Sequence, residues 1–221
     1  MIIKVCGMRD ARNIHEVSQL GIDWIGLDFI PNSERYVSQI ASCAGIIPDY
    51  SSLSDLSSDK LSQQKEGPVL CGVFADDMPQ NIVTRVVNFN LDVVQLNGDE
   101  SSVMIDNLRR TLDPDIHAGI KIMKRLVITK REDIENYKEY AEGVDYFLFD
   151  VQDNLKDWGI LEAYDGKVPF LVSGNIGAED IENIKTLSHP LFYGISVNEK
   201  FESAPAVKDI ALLKDFLEKI K

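Results

Sequence analysis

The segment IIKVCGMRDARNIHEVSQLG, residues 2–21, contains the pattern that decides the fold. Residues 2–6 are mostly apolar and β-branched, which predicts a short buried strand. Residues 11–21 then place apolar side chains at helical spacing, which predicts a helix packed on that strand. Cys6 and Gly7 stand at the junction, so this unit is a strand that ends in a thiol and is followed by a turn and a helix.

The same strand-then-helix pattern recurs to the end of the chain. Each short run of β-branched and aromatic residues predicts a strand, and a stretch of helical periodicity follows it. The predicted strands are IIKVC (2–6), WIGLDF (24–29), VLCGVF (69–74), DVVQL (92–96), HAGIKIM (117–123), DYFLFD (145–150), PFLVSG (169–174) and LFYGIS (191–196). The predicted helices are ARNIHEVSQLG, SQIASCAGII, PQNIVTRVVNFN, SSVMIDNLRRTL, REDIENYKEYAEG, LKDWGILEAYD, AEDIENIKTL and VKDIALLKDFLEKIK.

These strands are apolar almost throughout, as strands are when both faces of a parallel sheet are covered by helices. Eight such units in 221 residues predict a single α/β domain over residues 1–221, a (β/α)8 TIM barrel. The alternative is an open doubly wound sheet, but its GxGxxG loop after the first strand is absent. The serine-rich segment at about 51–68 is predicted to be a flexible surface loop, with a functional lid as the alternative.

The net charge of −13 and the isoelectric point near 4.6 argue against a nucleic-acid or anionic-membrane partner. Basic residues are scattered singly among acids, and no run reaches the roughly 18 apolar residues that a membrane span needs. The N-terminus also lacks the layout of a secretory signal, so a cytoplasmic protein is expected.

The three cysteines, Cys6, Cys43 and Cys71, are odd in number and widely spaced. They form no CxxC or Cys/His pattern, so neither a disulfide framework nor a zinc site is predicted, and no metal is expected. Cys43 and Cys71 fall in a predicted helix and in mid-strand, where a thiol usually has a structural role.

In a (β/α)8 barrel the active site lies at the carboxyl ends of the strands, so the candidate residues are those that end a strand or follow it. None of the three histidines, His15, His117 and His189, falls there. The positions of interest are Cys6, Gly7, Arg35, Gln95, Asn97, Asp150, Gly174, Asn175, Ser196 and Val197.

A thiol and a carboxylate at such a barrel mouth can act as proton acceptor and proton donor on one small substrate. Gly174 and the short polar residues after the seventh and eighth strands are placed where barrels often bind phosphate, and Arg35 adds a permanent positive charge. A small phosphorylated metabolite is therefore the expected partner.

Each candidate also has a structural interpretation. Cys6 can be a small core residue, Asp150 can cap the next helix, and Gly174 can simply end its strand. Arg35 can pair with Glu34 or another surface acid.

Over nearly its whole length the chain resembles the phosphoribosylanthranilate isomerases of tryptophan biosynthesis. The segments that carry the resemblance are KVCGMRDARNI, PNSERYVS, CGVF, VVQLNGDE, DYFLFD, PFLVSGNI and GISVNEKFESAPAVKD. Four positions differ from the usual family pattern. VQDNLKDW replaces a glycine-rich loop, Asn97 replaces histidine, Asn175 replaces glycine and Ser196 replaces aspartate.

The resemblance implies an Amadori rearrangement of N-(5-phosphoribosyl)anthranilate without metal or organic cofactor. It implies that Cys6 is the general base and Asp150 the general acid. It also implies that Arg35, Gly7, Gln95 and Asn97 bind substrate and that Gly174, Asn175, Ser196 and Val197 bind its phosphate.

Two functional hypotheses follow from these residues. The first is an active isomerase with a trimmed sixth loop. The second is a diverged barrel paralogue that binds another phosphorylated metabolite or has lost turnover. A non-enzymatic interaction module has no support beyond the acidic surface, and the sequence is compatible with either a monomer or a homodimer.

Overall fold

The computed structural model describes residues 1–38, 67–152, 155 and 157–220. Eight parallel strands close into a barrel in chain order, and the first strand pairs with both the second and the eighth. This confirms the predicted (β/α)8 architecture. The strands are β1 (Ile2–Met8), β2 (Trp24–Asp28), β3 (Val69–Phe74), β4 (Val93–Leu96), β5 (Lys121–Ile128), β6 (Tyr146–Val151), β7 (Phe170–Ser173) and β8 (Phe192–Val197).

The helices surround the barrel. The α-helices are α1 (Ala11–Ser18), α2 (Pro79–Phe89), α3 (Ser102–Leu112), α4 (Ile181–Thr186) and α5 (Ile210–Ile220). A two-stranded hairpin, β9 (Glu202–Ala204) and β10 (Val207–Lys208), precedes α5. None of the described helices is long and apolar enough to cross a bilayer. All but the first residue of the predicted helix SQIASCAGII and nearly all of the serine-rich segment at 51–68 lie outside the described residues.

Two predicted α-helices are instead 3₁₀ helices, Arg131–Glu139 and Trp158–Ala163. In both segments the buried side chains are three residues apart, Ile134 with Tyr137 and Trp158 with Leu161. That spacing matches the three residues per turn of a 3₁₀ helix, which places both side chains against the barrel.

The prediction for the fifth strand was wrong. It placed the strand at 117–123, but β5 runs over Lys121–Ile128, and His117 lies in the turn before it. The strand continues past the predicted end through two consecutive charges, Lys124 and Arg125. Both are accommodated because each pairs with a carboxylate on another segment of the chain.

The apolar side chains form two separate clusters. One fills the space between the strands and the surrounding helices. The other lies inside the barrel and takes one residue from each of six strands, namely Trp24, Cys71, Val93, Met123, Leu148 and Leu171. Two buried polar side chains, Lys4 and Gln95, lie level with members of this cluster in the sheet register, next to Trp24 and Met123.

A buried ion pair ties the loops after β3 and β4 together. Lys124 Nζ donates to Glu100 Oε2 at 2.8 Å, and both side chains are at most 3% exposed. Glu100 Oε1 accepts from the backbone N–H of Asp76 at 2.9 Å and of Gly98 at 3.3 Å. The loop that carries Asn97 is therefore held in place by a charge-assisted hydrogen-bond network.

We predict that Glu100→Gln lowers the free energy of unfolding by about 3 kcal/mol, because it leaves the Lys124 ammonium buried without a counter-charge. Urea denaturation measures this change. Arg12→Ala is the control, because Arg12 pairs with Glu16 while its side chain is 88% exposed. The decrease in the free energy of unfolding for Arg12→Ala should stay below about 1 kcal/mol. Equal losses in the two variants would contradict the stabilising role of the buried pair.

Candidate active site

Cys6 and Asp150 lie on the inner face of the barrel at the same end. Side chains two residues apart on a strand share one face. Cys6 follows Lys4, whose Nζ reaches Gln95 on β4 inside the barrel, and Asp150 follows Leu148, which belongs to the inner cluster. The structure therefore brings the predicted thiol and carboxylate to one barrel mouth, as the sequence led us to expect.

The residues around Cys6 leave room for its side chain. Cys6 is half-buried and is not in a disulfide. A Cβ on the neighbouring Gly26 of β2 would lie only 2.6 Å from the Cys6 sulfur, so this position needs a glycine. Gly7 has φ +71°, and a Cβ there would lie 2.5 Å from Asn198 Oδ1 and 2.6 Å from Arg35 Cδ. Because residue 7 is a glycine, the end of β1 can lie close to the side chains of Arg35 and Asn198 at the barrel mouth.

Asp150 is held by three side chains. Arg125 Nε donates to Asp150 Oδ2 at 2.8 Å, and Arg125 Nη2 donates to the same oxygen. Gln152 Nε2 also donates to Oδ2, at 3.3 Å, and Ser173 Oγ donates to Oδ1 at 3.1 Å. Sequence reasoning missed Arg125 because it ended the fifth strand at residue 123. The apolar run at 126–128 was the signal that the strand continues past the two charges.

Arg35 is engaged by carboxylates of the chain itself. Its Nε and Nη2 donate to Glu202 Oε1 and Oε2 at 2.9 and 2.7 Å, and its Nη1 lies 3.4 Å from Glu199. Lys208 Nζ also donates to Glu202, at 2.6 Å, and to Asn198 Oδ1 at 2.7 Å. Burial raises the pKa of Glu202, but the hydrogen bonds and charges of Arg35 and Lys208 lower it by more. The partner of Arg35 is thus a nearly buried acid on β9 rather than Glu34.

Gln95 and Asn97 extend this polar lining across the mouth. Gln95 Oε1 accepts a hydrogen bond from Lys4 Nζ, and Gln95 Nε2 donates to Asn97 Oδ1 at 2.7 Å. The two predicted substrate-binding residues therefore belong to one hydrogen-bonded chain that starts at Lys4.

The predicted phosphate residues separate into two places. Gly174 and Asn175 line a cavity of about 460 Å³ together with Gln152, Trp158, Glu179 and Lys200, among others. Lys200 pairs with Glu179 there. Ser196 instead faces the barrel interior, next to Lys4 in the sheet register, and Val197 is fully buried.

The turn after β7 depends on its two residues. Gly174 has φ +119°, and a Cβ there would lie 1.8 Å from the carbonyl oxygen of Val151. Asn175 has φ +49°, so this position needs a residue that tolerates the left-handed region, and asparagine does so better than most residues.

The sequence model of one protein family, described as N-(5'-phosphoribosyl)anthranilate (PRA) isomerase, matches residues 3–219. The chain belongs to this isomerase family. An N-(5'-phosphoribosyl)anthranilate isomerase of Parabacteroides distasonis is 37% identical over 227 residues, covering 100% of this chain and 93% of the relative. One of Phocaeicola vulgatus is 34% identical and covers 100% of this chain and 98% of the relative.

Solved structures of the isomerase family share the fold. Phosphoribosyl anthranilate isomerase from Thermotoga maritima superposes with a TM-score of 0.76 at 22% identity, covering 100% of this chain and 98% of that one. A phosphoribosyl anthranilate isomerase in complex with reduced 1-(o-carboxyphenylamino)-1-deoxyribulose 5-phosphate gives 0.73 at 22% identity, with the same coverage. These likenesses establish the barrel architecture.

We predict that Gly7→Ala destabilises the barrel by about 1 kcal/mol or more beyond Gly21→Ala, because added atoms in a packed site force shifts. Gly21 is a matched control, since it also has φ +71° but has no atom within 4 Å of an added Cβ. Both variants incur the cost of a left-handed alanine. Only the added methyl group of Gly7→Ala would clash, because it meets the side chains of Arg35 and Asn198. Glu202 holds Arg35 in place, and Lys208 holds Asn198. Urea unfolding of both variants checks this, and equal losses would contradict it.

Proposed function

We propose that this chain catalyses the Amadori rearrangement of N-(5-phosphoribosyl)anthranilate to 1-(2-carboxyphenylamino)-1-deoxyribulose 5-phosphate. The observation that carries the proposal is the placement of a thiol and a carboxylate on the inner face at one barrel end. Membership of the isomerase family over residues 3–219 supports it. The free thiol that the reaction needs also fits the reducing cytoplasm, where we place the protein.

In the proposed reaction Asp150 is the general acid and Cys6 the general base. Asp150 gives a proton to the ring oxygen as the C1–O bond breaks and the nitrogen lone pair forms a C1=N bond. Cys6 then removes the proton from C2, which gives an enolamine. The enolamine becomes the ketone when C1 takes up a proton and the C2 hydroxyl loses its proton. Both steps transfer protons only, so the reaction as proposed needs no redox cofactor.

The pairing of Asp150 with Arg125 has to change during this cycle. Two nitrogens of Arg125 donate to Asp150 Oδ2, so that oxygen has to be released before it can donate a proton to the substrate. Arg125 is 30% exposed at the mouth, and its Nη1 has no hydrogen-bond partner among the described residues. We therefore assign Arg125 a second role, in which an anionic group of the substrate draws it away from Asp150.

The other predicted contacts fit the same substrate. The cavity beside Gly174 and Asn175 is the proposed phosphate site, with backbone N–H groups as donors. Arg35 offers its Nη1, because the contact of that atom with Glu199 is long and Glu199 is 63% exposed. Ser196 lies deeper, on the face of Lys4 and Cys6, so we assign it to the sugar rather than to the phosphate.

Purified protein given freshly prepared phosphoribosylanthranilate should consume the fluorescence of the anthranilate group. Cys6→Ser and Asp150→Asn should each lower kcat by about 10² or more, since each removes a general acid or base. Asp145→Asn is the control because Asp145 pairs with Arg109 at the opposite end of the same strand, and it should keep the wild-type kcat. Rescue of a tryptophan auxotroph that lacks this step tests the activity in cells.

A wild-type protein that binds the phosphorylated substrate but does not turn it over would contradict the proposal. That outcome would favour a diverged paralogue. Equal losses of kcat in Asp150→Asn and Asp145→Asn would instead show that Asp150 acts only through stability.

For Arg125→Leu we expect KM to rise about tenfold or more, since a charge-assisted hydrogen bond to the substrate is lost. The loss of kcat should be smaller than in Asp150→Asn. Steady-state kinetics separate the two parameters. An unchanged KM with a kcat as low as that of Asp150→Asn would mean that Arg125 acts only through Asp150 and does not contact the substrate.

A further inference from the structure

Three hydrogen-bonded side chains run from the barrel interior to its mouth. Lys4 Nζ donates to Gln95 Oε1, and Gln95 Nε2 donates to Asn97 Oδ1 at 2.7 Å. Lys4 is 0% exposed and Gln95 2%, whereas Asn97 is half-buried at the mouth. The outermost member of this series, Asn97, is therefore the one that a ligand can touch, and the orientation of its amide decides which atom the ligand meets.

The donors at the inner end fix the orientation of both amides. An ammonium has three hydrogen-bond donors and no acceptor, so the Gln95 atom beside Lys4 has to be the oxygen. The Cys71 sulfur lies 3.9 Å from the same oxygen. Burial raises the pKa of the Cys71 thiol to about 11, so the thiol keeps its proton and is a second donor to that oxygen. The nitrogen of Gln95 then points to Asn97, where it needs an acceptor, so the oxygen of Asn97 faces Gln95.

Asn97 consequently presents its amide nitrogen to the mouth. Within the described residues, Asn97 Nδ2 makes no hydrogen bond, whereas Asn97 Oδ1 is engaged by Gln95. A primary amide nitrogen carries two donor hydrogens and no acceptor. The group of a ligand that lies against Asn97 therefore has to be a hydrogen-bond acceptor.

A second unused donor lies on the strand next to Asn97. The sheet register pairs Leu96 with Lys124, so Asn97 and Arg125 occupy the next level of β4 and β5. Neighbouring strands are about 5 Å apart. Arg125 follows Met123 of the inner cluster by two residues and so shares its face. Arg125 Nη1 makes no hydrogen bond within the described residues, so two donors stand side by side at this part of the mouth.

The substrate of the proposed reaction carries two anionic groups, a phosphate and the carboxylate of its aromatic ring. The proposed phosphate site lies after β7, beside Gly174 and Asn175, and β7 is three strands away from β4 around the barrel. A substrate that extends across the mouth from that site brings its other end to Asn97 and Arg125. Two N–H donors, one of them on a permanent cation, match the two acceptor oxygens of a carboxylate.

We propose that Asn97 Nδ2 and Arg125 Nη1 bind the carboxylate of the aromatic ring and so select substrates that carry it. This inference deepens the proposed function and rests on it. The ring carboxylate is then the anionic group that draws Arg125 away from Asp150, so the general acid is released only when this group is present. Lys4 and Gln95 are positioning residues, because they orient the amide of Asn97 and do not touch the substrate.

The test compares the Kd values of two unreactive ligands by isothermal titration calorimetry. One is reduced 1-(o-carboxyphenylamino)-1-deoxyribulose 5-phosphate, and the other is its phenylamino analogue without the carboxyl group. The wild type should bind the carboxylated ligand about tenfold or more tightly, since charge-assisted hydrogen bonds are at stake. Asn97→Asp keeps the acceptor for Gln95 but puts a negative oxygen in place of the donor. This variant should lose the preference and still bind the phenylamino analogue as the wild type does.

Gln95→Glu tests the positioning role. Its carboxylate still accepts from Lys4, but the second oxygen needs a donor, so the amide of Asn97 turns over and presents its oxygen to the mouth. The preference for the carboxylated ligand should fall about tenfold or more, with the affinity for the phenylamino analogue unchanged. Asn107→Asp, at an exposed position of α3, makes the same change in net charge as Asn97→Asp and should leave both affinities unchanged.

The wild type provides a readout that does not depend on the folding of any variant. Equal affinities of the wild type for the two ligands would overturn the proposal, as would an Asn97→Asp protein that keeps the wild-type preference. A preference for the carboxylated ligand that Asn97→Asp abolishes, in a protein without isomerase turnover, would support the carboxylate site and refute the proposed function. Turnover without such a preference would refute the carboxylate site alone.

Discussion

The pairing of β1 with β8 is the interaction on which the rest of the structure depends. It closes the barrel through the register pairs Ile2 with Gly194 and Lys4 with Ser196. A Cβ on Gly194 would lie 2.0 Å from the carbonyl oxygen of Ile2, so the strands meet this closely only because residue 194 is a glycine. Closure turns the inner face of β1 toward that of β6. Without it, Cys6 and Asp150 would lie on separate strands with no shared cavity.

The electrostatics of the mouth differ from those of the whole chain. The protein carries a formal charge of −13, yet the side chains that gather at the carboxyl ends of the strands include Lys4, Arg35, Arg125 and Lys208. Most of these cations are matched by a carboxylate of the chain, which holds them in fixed positions. A local concentration of positioned cations is what an anionic sugar phosphate needs in order to bind an otherwise acidic protein.

The sequence predicted the barrel because the strand-and-helix alternation is local and repeats eight times. It also predicted that Cys6, Gln95 and Asp150 lie near the carboxyl ends of their strands, and they do. The conformation of Asn175 was predictable from its tolerance of positive φ. The predictions that failed concern residues whose placement depends on partners far away along the chain. The predicted fifth strand stops at residue 123, whereas β5 continues through Lys124 and Arg125, whose partners Glu100 and Asp150 lie 24 and 25 residues away.

The ion pair of Arg35 was even harder to predict from the sequence. Its partner Glu202 lies 167 residues along the chain, and no local pattern indicates that they meet. The buried state of Lys4 was likewise hidden, because a lysine in a short strand normally suggests an exposed position. The two 3₁₀ helices were decided by packing against the barrel rather than by propensity, so periodicity alone could not separate them from α-helices.

The central claim is that Cys6 and Asp150 act on opposite sides of one bound substrate. The most direct measurement is a crystal structure of this protein with reduced 1-(o-carboxyphenylamino)-1-deoxyribulose 5-phosphate. The account predicts that the Cys6 sulfur and an Asp150 oxygen both lie within about 4 Å of the sugar chain of the ligand, with its phosphate beside Gly174 and Asn175. A ligand that binds elsewhere, or that touches only one of the two side chains, would contradict it.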